Sequence, residues 1–110
     1  MKTKRITELL DVARRMGTHL GGTDVPIQRA VIFLLIAAAG EEGAESKDLK
    51  EAAGLAASSV SRNVAALGEW PRGKKGLGLV KTRTDYTDRR RKPVVLTAKG
   101  QRVLNELIGG

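Results

Sequence analysis

The stretch PIQRAVIFLLIAAAG, residues 26 to 40, is apolar almost all round. The spacing predicts a helix over 26–39. Ile27, Val31, Leu34, Leu35 and Ala38 mark one face, and Ile32, Phe33 and Ile36 fill much of the other. A helix that is greasy on both sides must be covered on both sides. A chain of 110 residues holds one core and is too short for two. Such a helix is therefore the centre of that core, part of a subunit interface, or both. With one Trp, one Tyr and one Phe, the rest of the core falls to Leu, Ile, Val and Ala, which favours helices.

Around this centre the chain reads as one domain over 1–110. In an N-terminal helix within 1–20, Ile6, Leu9, Leu10, Ala13 and Met16, with Leu20 next in the series, recur at three- and four-residue spacing. It is expected to stop near Gly17, with HLGGT as a loop, and Thr23 or Asp24 can cap the next helix, with Pro26 in its first turn. The segment 46–69 reads as a helix-turn-helix: Ser46 as N-cap, Leu49, Ala52 and Ala53 inward, Gly54 at the break, then Val60, Val64 and Leu67 on one buried face. LVKTRT and KPVVLT read as two strands of a β-wing over 79–97 joined by DYTDRRR. Thr97 caps a last helix over 98–108 that carries Val103, Leu104, Leu107 and Ile108, although Gly100 weakens its first turn. The fold class is mainly α with a small antiparallel wing, a winged helix-turn-helix.

Charge narrows the function. Nine cations and two acids lie between Arg72 and Lys92, which is +7 of the formal net charge of +8. A basic patch on a nearly neutral body suits a nucleic acid. The segment lacks the apolar face that would seat it on an acidic membrane. No run is long and apolar enough to span a bilayer, and the start MKTKRITELLDVARR has no signal-peptide hydrophobic region. There is no cysteine, hence no disulfide or thiolate metal site, in keeping with a cytoplasmic location. One isolated histidine, His19, and no phosphate-binding glycine motif argue against an enzyme, and no cofactor is implied. Glu41, Glu42 and Glu45 read as a solvated acidic loop rather than a metal cluster.

Two surfaces are candidate contacts. With Val60, Val64 and Leu67 buried, rotation by about 100° per residue turns Ser58 and Arg62 outward beside Ala65 and Ala66, with Ser59 and Ser61 flanking. Asn63 falls nearer the buried edge. Small residues around one arginine make a smooth ridge that can enter a groove; a merely solvated face would carry more Glu and Lys. The second surface is the wing tip, Arg89, Arg90, Arg91 and Lys92. Asp88 at that tip would be repelled by phosphate, so it is expected to orient Arg90 or cap the turn, or else is a simple turn residue, as Asp85 is. Arg72, Lys74 and Lys75, in the glycine-rich WPRGKKGLG, either add backbone contacts or keep a loop soluble. Trp70 reads as packing at a helix end.

LAASSVSRNVAAL resembles the recognition-helix segment of the MarR family of bacterial transcriptional regulators. DRRRKPVVLTAKG resembles that family's wing signature, with Asp88, Arg90, Leu96, Thr97 and Gly100 matching in type and spacing. The resemblance covers about 26 to 108. It implies a dimeric, sequence-specific regulator of double-stranded DNA, a repressor, with the recognition helix in the major groove and Arg90 in the minor groove. PRGKKGLG is longer than the family's usual connection, and members typically continue into C-terminal helices beyond the point where this chain stops. Many relatives sense a small-molecule effector, which no residue pattern here supports. A winged-helix module that binds another protein, and a nucleic-acid binder without sequence preference, remain as alternatives.

Overall fold

The computed structural model describes residues 2–20, 26–68, 76–84, 86–88 and 90–109. Their elements run α1 (Lys2–Leu20), α2 (Ile27–Ala39), a 3-10 turn (Gly40–Glu42), α3 (Ser46–Ala53), α4 (Ala57–Leu67), β1 (Val80–Thr82), β2 (Val94–Leu96) and α5 (Ala98–Ile108). α2 packs against α3, α4 and β2, and more lightly against α1. Ile32, Phe33 and Ile36 are fully buried and meet Leu20, Leu49, Val60, Leu67, Leu79 and Leu107 in one core. The other side of α2 is uncovered along Ile27, Val31 and Leu34.

α1 does not stop at Gly17 but runs on to Leu20. Leu20 is fully buried, worth about 2 kcal/mol, which outweighs the roughly 0.5–1 kcal/mol that glycine costs inside a helix. The sequence HLGGT is thus helical in its first two residues, and the capping expected of Thr23 or Asp24 lies outside the described residues. Pro26 occupies the N-cap position of α2 rather than its first turn. The stripe Ile6, Leu9 and Leu10 is exposed rather than in the core. α1 instead lies along α5, where the Arg15 guanidinium donates to the carbonyl of Glu106 at 3.1 Å.

Between α3 and α4 the chain turns at Gly54, whose φ of 67° lies in the left-handed region that favours glycine. Its N–H and that of Leu55 both reach the Lys50 carbonyl, at 3.0 and 3.2 Å. The N-cap position of α3 is Glu45, not Ser46, because Ser46 already has helical backbone. Ala52 is exposed, while Leu49 is buried and Ala53 partly so.

β1 and β2 pair antiparallel, Val80 opposite Leu96 and Thr82 opposite Val94. Ala44 extends the pair from β2's other edge, exchanging both backbone hydrogen bonds with Val94 at 2.8 and 2.9 Å. The strands are three residues each, shorter than the LVKTRT and KPVVLT segments read from the sequence, and the described residues between them are mainly irregular, with bends at 86–87 and a turn at 90. Likewise α4 ends at Leu67 rather than 69. The N–H groups of Leu77, Gly78 and Leu79 then return to the carbonyls of Ala66, Gly68 and Leu67. That closure supplies donors to the carbonyls a helix end leaves unpaired.

Thr97 caps α5, its hydroxyl accepting from the Gly100 N–H at 3.0 Å and donating to the Gly78 carbonyl at 2.7 Å. A Cβ on Gly100 would stand 2.0 Å from the Leu79 carbonyl oxygen, so the first turn of α5 rests on bare backbone. Gly100→Ala is expected to cost roughly 3 kcal/mol, the upper end of overpacking penalties. Thermal denaturation followed by circular dichroism should then show a melting temperature lower by more than about 10 °C.

Candidate nucleic-acid interface

α4 carries the ridge. Val60 and Leu67 are buried against α2 and α3, Val64 packs on the core from its edge, and this anchoring turns Ser58, Ser61 and Arg62 to solvent. Ser59 is half-buried. Asn63 is buried, and its Nδ2 donates to the carbonyl of Ser59 at 2.9 Å, so it serves the helix itself. Ala66, expected outward, is buried, because the return of Leu77 onto its carbonyl covers it.

Each flank of α4 borders a recess. One, of about 780 Å³, lies between the helix and the wing, lined on the helix by Ser61, Val64 and Ala65 and on the wing by Lys81, Thr82 and Lys92. The other, of about 270 Å³, lies between α4 and the start of α2, lined by Gln28, Arg29, Ser59 and Arg62 among others. Sequence reasoning missed Gln28, Arg29 and Lys81. Gln28 and Arg29 were legible as the only strongly polar pair in α2, and Lys81 as an exposed position of an alternating strand.

At the wing, the Asp88 carboxylate accepts the Arg90 backbone N–H at 3.0 Å, and the Asp88 carbonyl accepts the Arg91 N–H at 3.0 Å. This turn holds Arg90 at its crest with the side chain 94% exposed. The same carboxylate lies 3.4 Å from the Arg90 Nε, too long and too exposed to add much. Arg91 points back to the body, its Nε donating to Glu45 Oε1 at 3.0 Å. The Arg83 guanidinium donates to the carbonyls of Glu41 and Glu42. The acidic stretch is therefore not simply a solvated loop: its backbone and Glu45 tether the wing. Lys92 is exposed beside the larger recess. Arg72, Lys74, Lys75 and Arg89, with Trp70 and Asp85, lie outside the described residues.

Among the described residues no three His, Cys, Asp or Glu side chains gather where they could hold a metal, and no helix is long and apolar enough to cross a membrane.

The arrangement matches solved structures. S. aureus MepR, in its complex with DNA, aligns at a TM-score of 0.72 and 16% identity over 98% of this chain and 78% of that one. A MarR-like transcriptional regulator from Thermotoga maritima aligns at 0.65 and 25% identity, over 97% and 72%. The chain has the winged-helix fold of the MarR-family regulators. PcaV, a transcriptional regulator from Streptomyces coelicolor, aligns at 0.63 and 20% identity, over 98% and 72%. No protein-family model and no curated protein matches the sequence. In MarR-family terms α3 and α4 are the helix-turn-helix, the β1–β2 hairpin is the wing, and Leu96, Thr97 and Gly100 join wing to α5.

The Arg91–Glu45 pair is half exposed, so its coupling should be small. A double-mutant cycle with Arg91→Gln and Glu45→Gln in urea denaturation is expected to give about 0.5 kcal/mol, diminishing with salt.

Proposed function

We propose that the chain is a sequence-specific, double-stranded-DNA-binding transcriptional regulator that acts as a dimer and represses by occupying its operator. One observation carries this reading: Ser61 of the ridge and Lys81, Thr82 and Lys92 of the wing line the same recess, so helix and hairpin offer themselves to one partner from one side. The DNA complex formed by MepR, a protein of the same fold, supports it.

α4 enters the major groove, where base edges distinguish all four pairs. Arg62, exposed and without a hydrogen-bond partner among the described residues, donates two bonds to guanine O6 and N7, while Ser58, Ser59 and Ser61 reach bases or phosphates. The wing lies along the adjacent minor groove. Asp88 holds the crest of its turn, Arg90 inserts where a narrow A·T stretch concentrates negative potential, and Arg89 and Lys92 contact phosphates. Arg91 is shared between phosphate and Glu45. Arg72, Lys74 and Lys75 add contacts to the DNA backbone. The exposed apolar residues Ile6, Leu9 and Leu10 of α1 and Ile108 of α5 supply the dimer face. Two recognition helices then read half-sites about 34 Å apart.

Selection from random duplex DNA at a stated salt concentration tests this directly: one enriched, two-fold-symmetric motif is expected. If about six phosphates are neutralised per protomer, log affinity should fall against log salt with a slope of about −5. Arg62→Lys should lose about 10- to 100-fold of discrimination at one base pair while keeping weak binding. No binding to any duplex would sink the reading and favour a winged-helix module that contacts another protein.

A further inference from the structure

We propose that Arg29 forms, with Arg62, Gln28 and Ser59, a seat for one phosphate of the bound duplex, on the flank of α4 away from the wing. The inference rests on the DNA-binding reading above and assigns a contact outside the basic segment.

Arg29 is the only charged residue in α2, whose inward face is Ala30, Ile32, Phe33 and Ile36. Its Nε is buried and has no hydrogen-bond partner among the described residues. A guanidinium offers five N–H donors and no acceptor, and a buried donor left unpaired is uncommon and costly. The side chain also lines the recess of about 270 Å³ between the start of α2 and α4, together with Pro26, Gln28, Ser59, Arg62 and Asn63. Two arginines, a glutamine and a serine thus line one concavity. Asn63 is already committed through its Nδ2 to the Ser59 carbonyl. Among the described residues lining the recess none is acidic, although two cations border it. Like charges held together around an open recess are complementary to an oxyanion, which a planar guanidinium fork takes in bidentate fashion.

The position of the recess identifies the oxyanion. A helix lying in a major groove about 12 Å wide has a phosphate strand on each side. The wing-side recess presents Lys81 and Lys92 to one strand. The Arg29 recess, on the opposite flank, faces the other. Ser59 and Arg62 belong to both the ridge and this recess, so a phosphate seated there fixes the depth and tilt at which Arg62 meets its base. Because Arg29 is half-buried and held by α2, little ordering is needed when the phosphate arrives.

A further consequence separates this role from a packing role. In the free protein the buried, unpaired Nε is a liability, so removing it should not lower stability, yet it should lower affinity, the usual trade at a functional position. Arg29→Met is expected to melt at the same temperature as the wild type or higher. It should bind the selected duplex about tenfold more weakly, with a log–log salt slope shallower by about 0.9 and the same enriched motif. Arg29→Lys should keep the slope and recover part of the affinity.

The deciding experiment uses the full chain and the selected duplex with each phosphate replaced singly by an uncharged methylphosphonate. One position per half-site is expected to weaken the wild type about tenfold while leaving Arg29→Met unchanged. If the wild type binds the duplex but the effects of substitution and neutralisation simply multiply at every position, the seat is refuted and the regulator reading stands. Should the wild type bind no duplex, the regulator reading fails, and inorganic phosphate at constant ionic strength becomes the probe. A rise in the melting temperature of the wild type, absent in Arg29→Met, would then assign the seat to free phosphate. A flat response in both would overturn it altogether.

Discussion

The peptide of Leu79 is where the recognition helix, the wing and the last helix are fastened to one another. Its N–H donates to the Leu67 carbonyl at the end of α4, at 2.7 Å, and its carbonyl accepts the Thr97 N–H at 2.9 Å. Gly100 packs on that same carbonyl, so closely that any side chain would collide with it. The Leu79 side chain is buried in the core. α4 therefore cannot tilt without dragging β1, and the wing cannot shift without disturbing the start of α5. If this surface meets a rigid polyanion along its length, the fastening reduces the ordering that binding would otherwise have to impose.

The same junction explains which parts of the fold were legible in the sequence. Leu96 and Thr97 are readable because each answers a local backbone demand, strand end and helix cap, whereas Gly100 reads locally as a weak helix turn and is marked only by the family signature, because its close approach to the Leu79 carbonyl is a tertiary contact. The helix-turn-helix is readable because Gly54 and the spacing of Val60, Val64 and Leu67 impose period and break together. Where expectation and structure part, a tertiary contact overrides local propensity. Burial of Leu20 carries α1 through Gly17. The return of Leu77 onto the Ala66 carbonyl buries a residue whose helical angle alone pointed it outward. Of the candidate interface, the exposure of Ser58, Ser61 and Arg62 followed from periodicity. The recess around Arg29 did not, because it is made by the packing of α2 against α4, elements separated in sequence.

Charge composition alone treats the cations of the basic segment as equivalent, and geometry divides them. Arg83 is taken up by the carbonyls of Glu41 and Glu42, and Arg91 by Glu45. These contacts join the wing to the entry of α3, so the acidic stretch works as an anchor inside an otherwise basic protein. Arg90, Lys81 and Lys92 face outward. The net positive field steers a polyanion over distances near the Debye length whichever cations supply it. On the proposed reading, register on a duplex would depend only on those whose positions are fixed.

That division also accounts for the composition of the ridge. If α4 is to lie deep in a groove, long cations along it would hold it away from the bases. Its exposed surface is accordingly serine with a single arginine, and the neutralising charge is displaced to the flanks: Lys81 and Lys92 from the wing on one side, Arg29 from α2 on the other. Those flanking groups belong to elements cemented into the core by Val80, Val94 and Phe33. On the proposed reading, base recognition and backbone contact would fall to different elements, held in fixed relation by one shared core. The depth of α4 in a groove would then be set by the scaffold and not by side-chain flexibility.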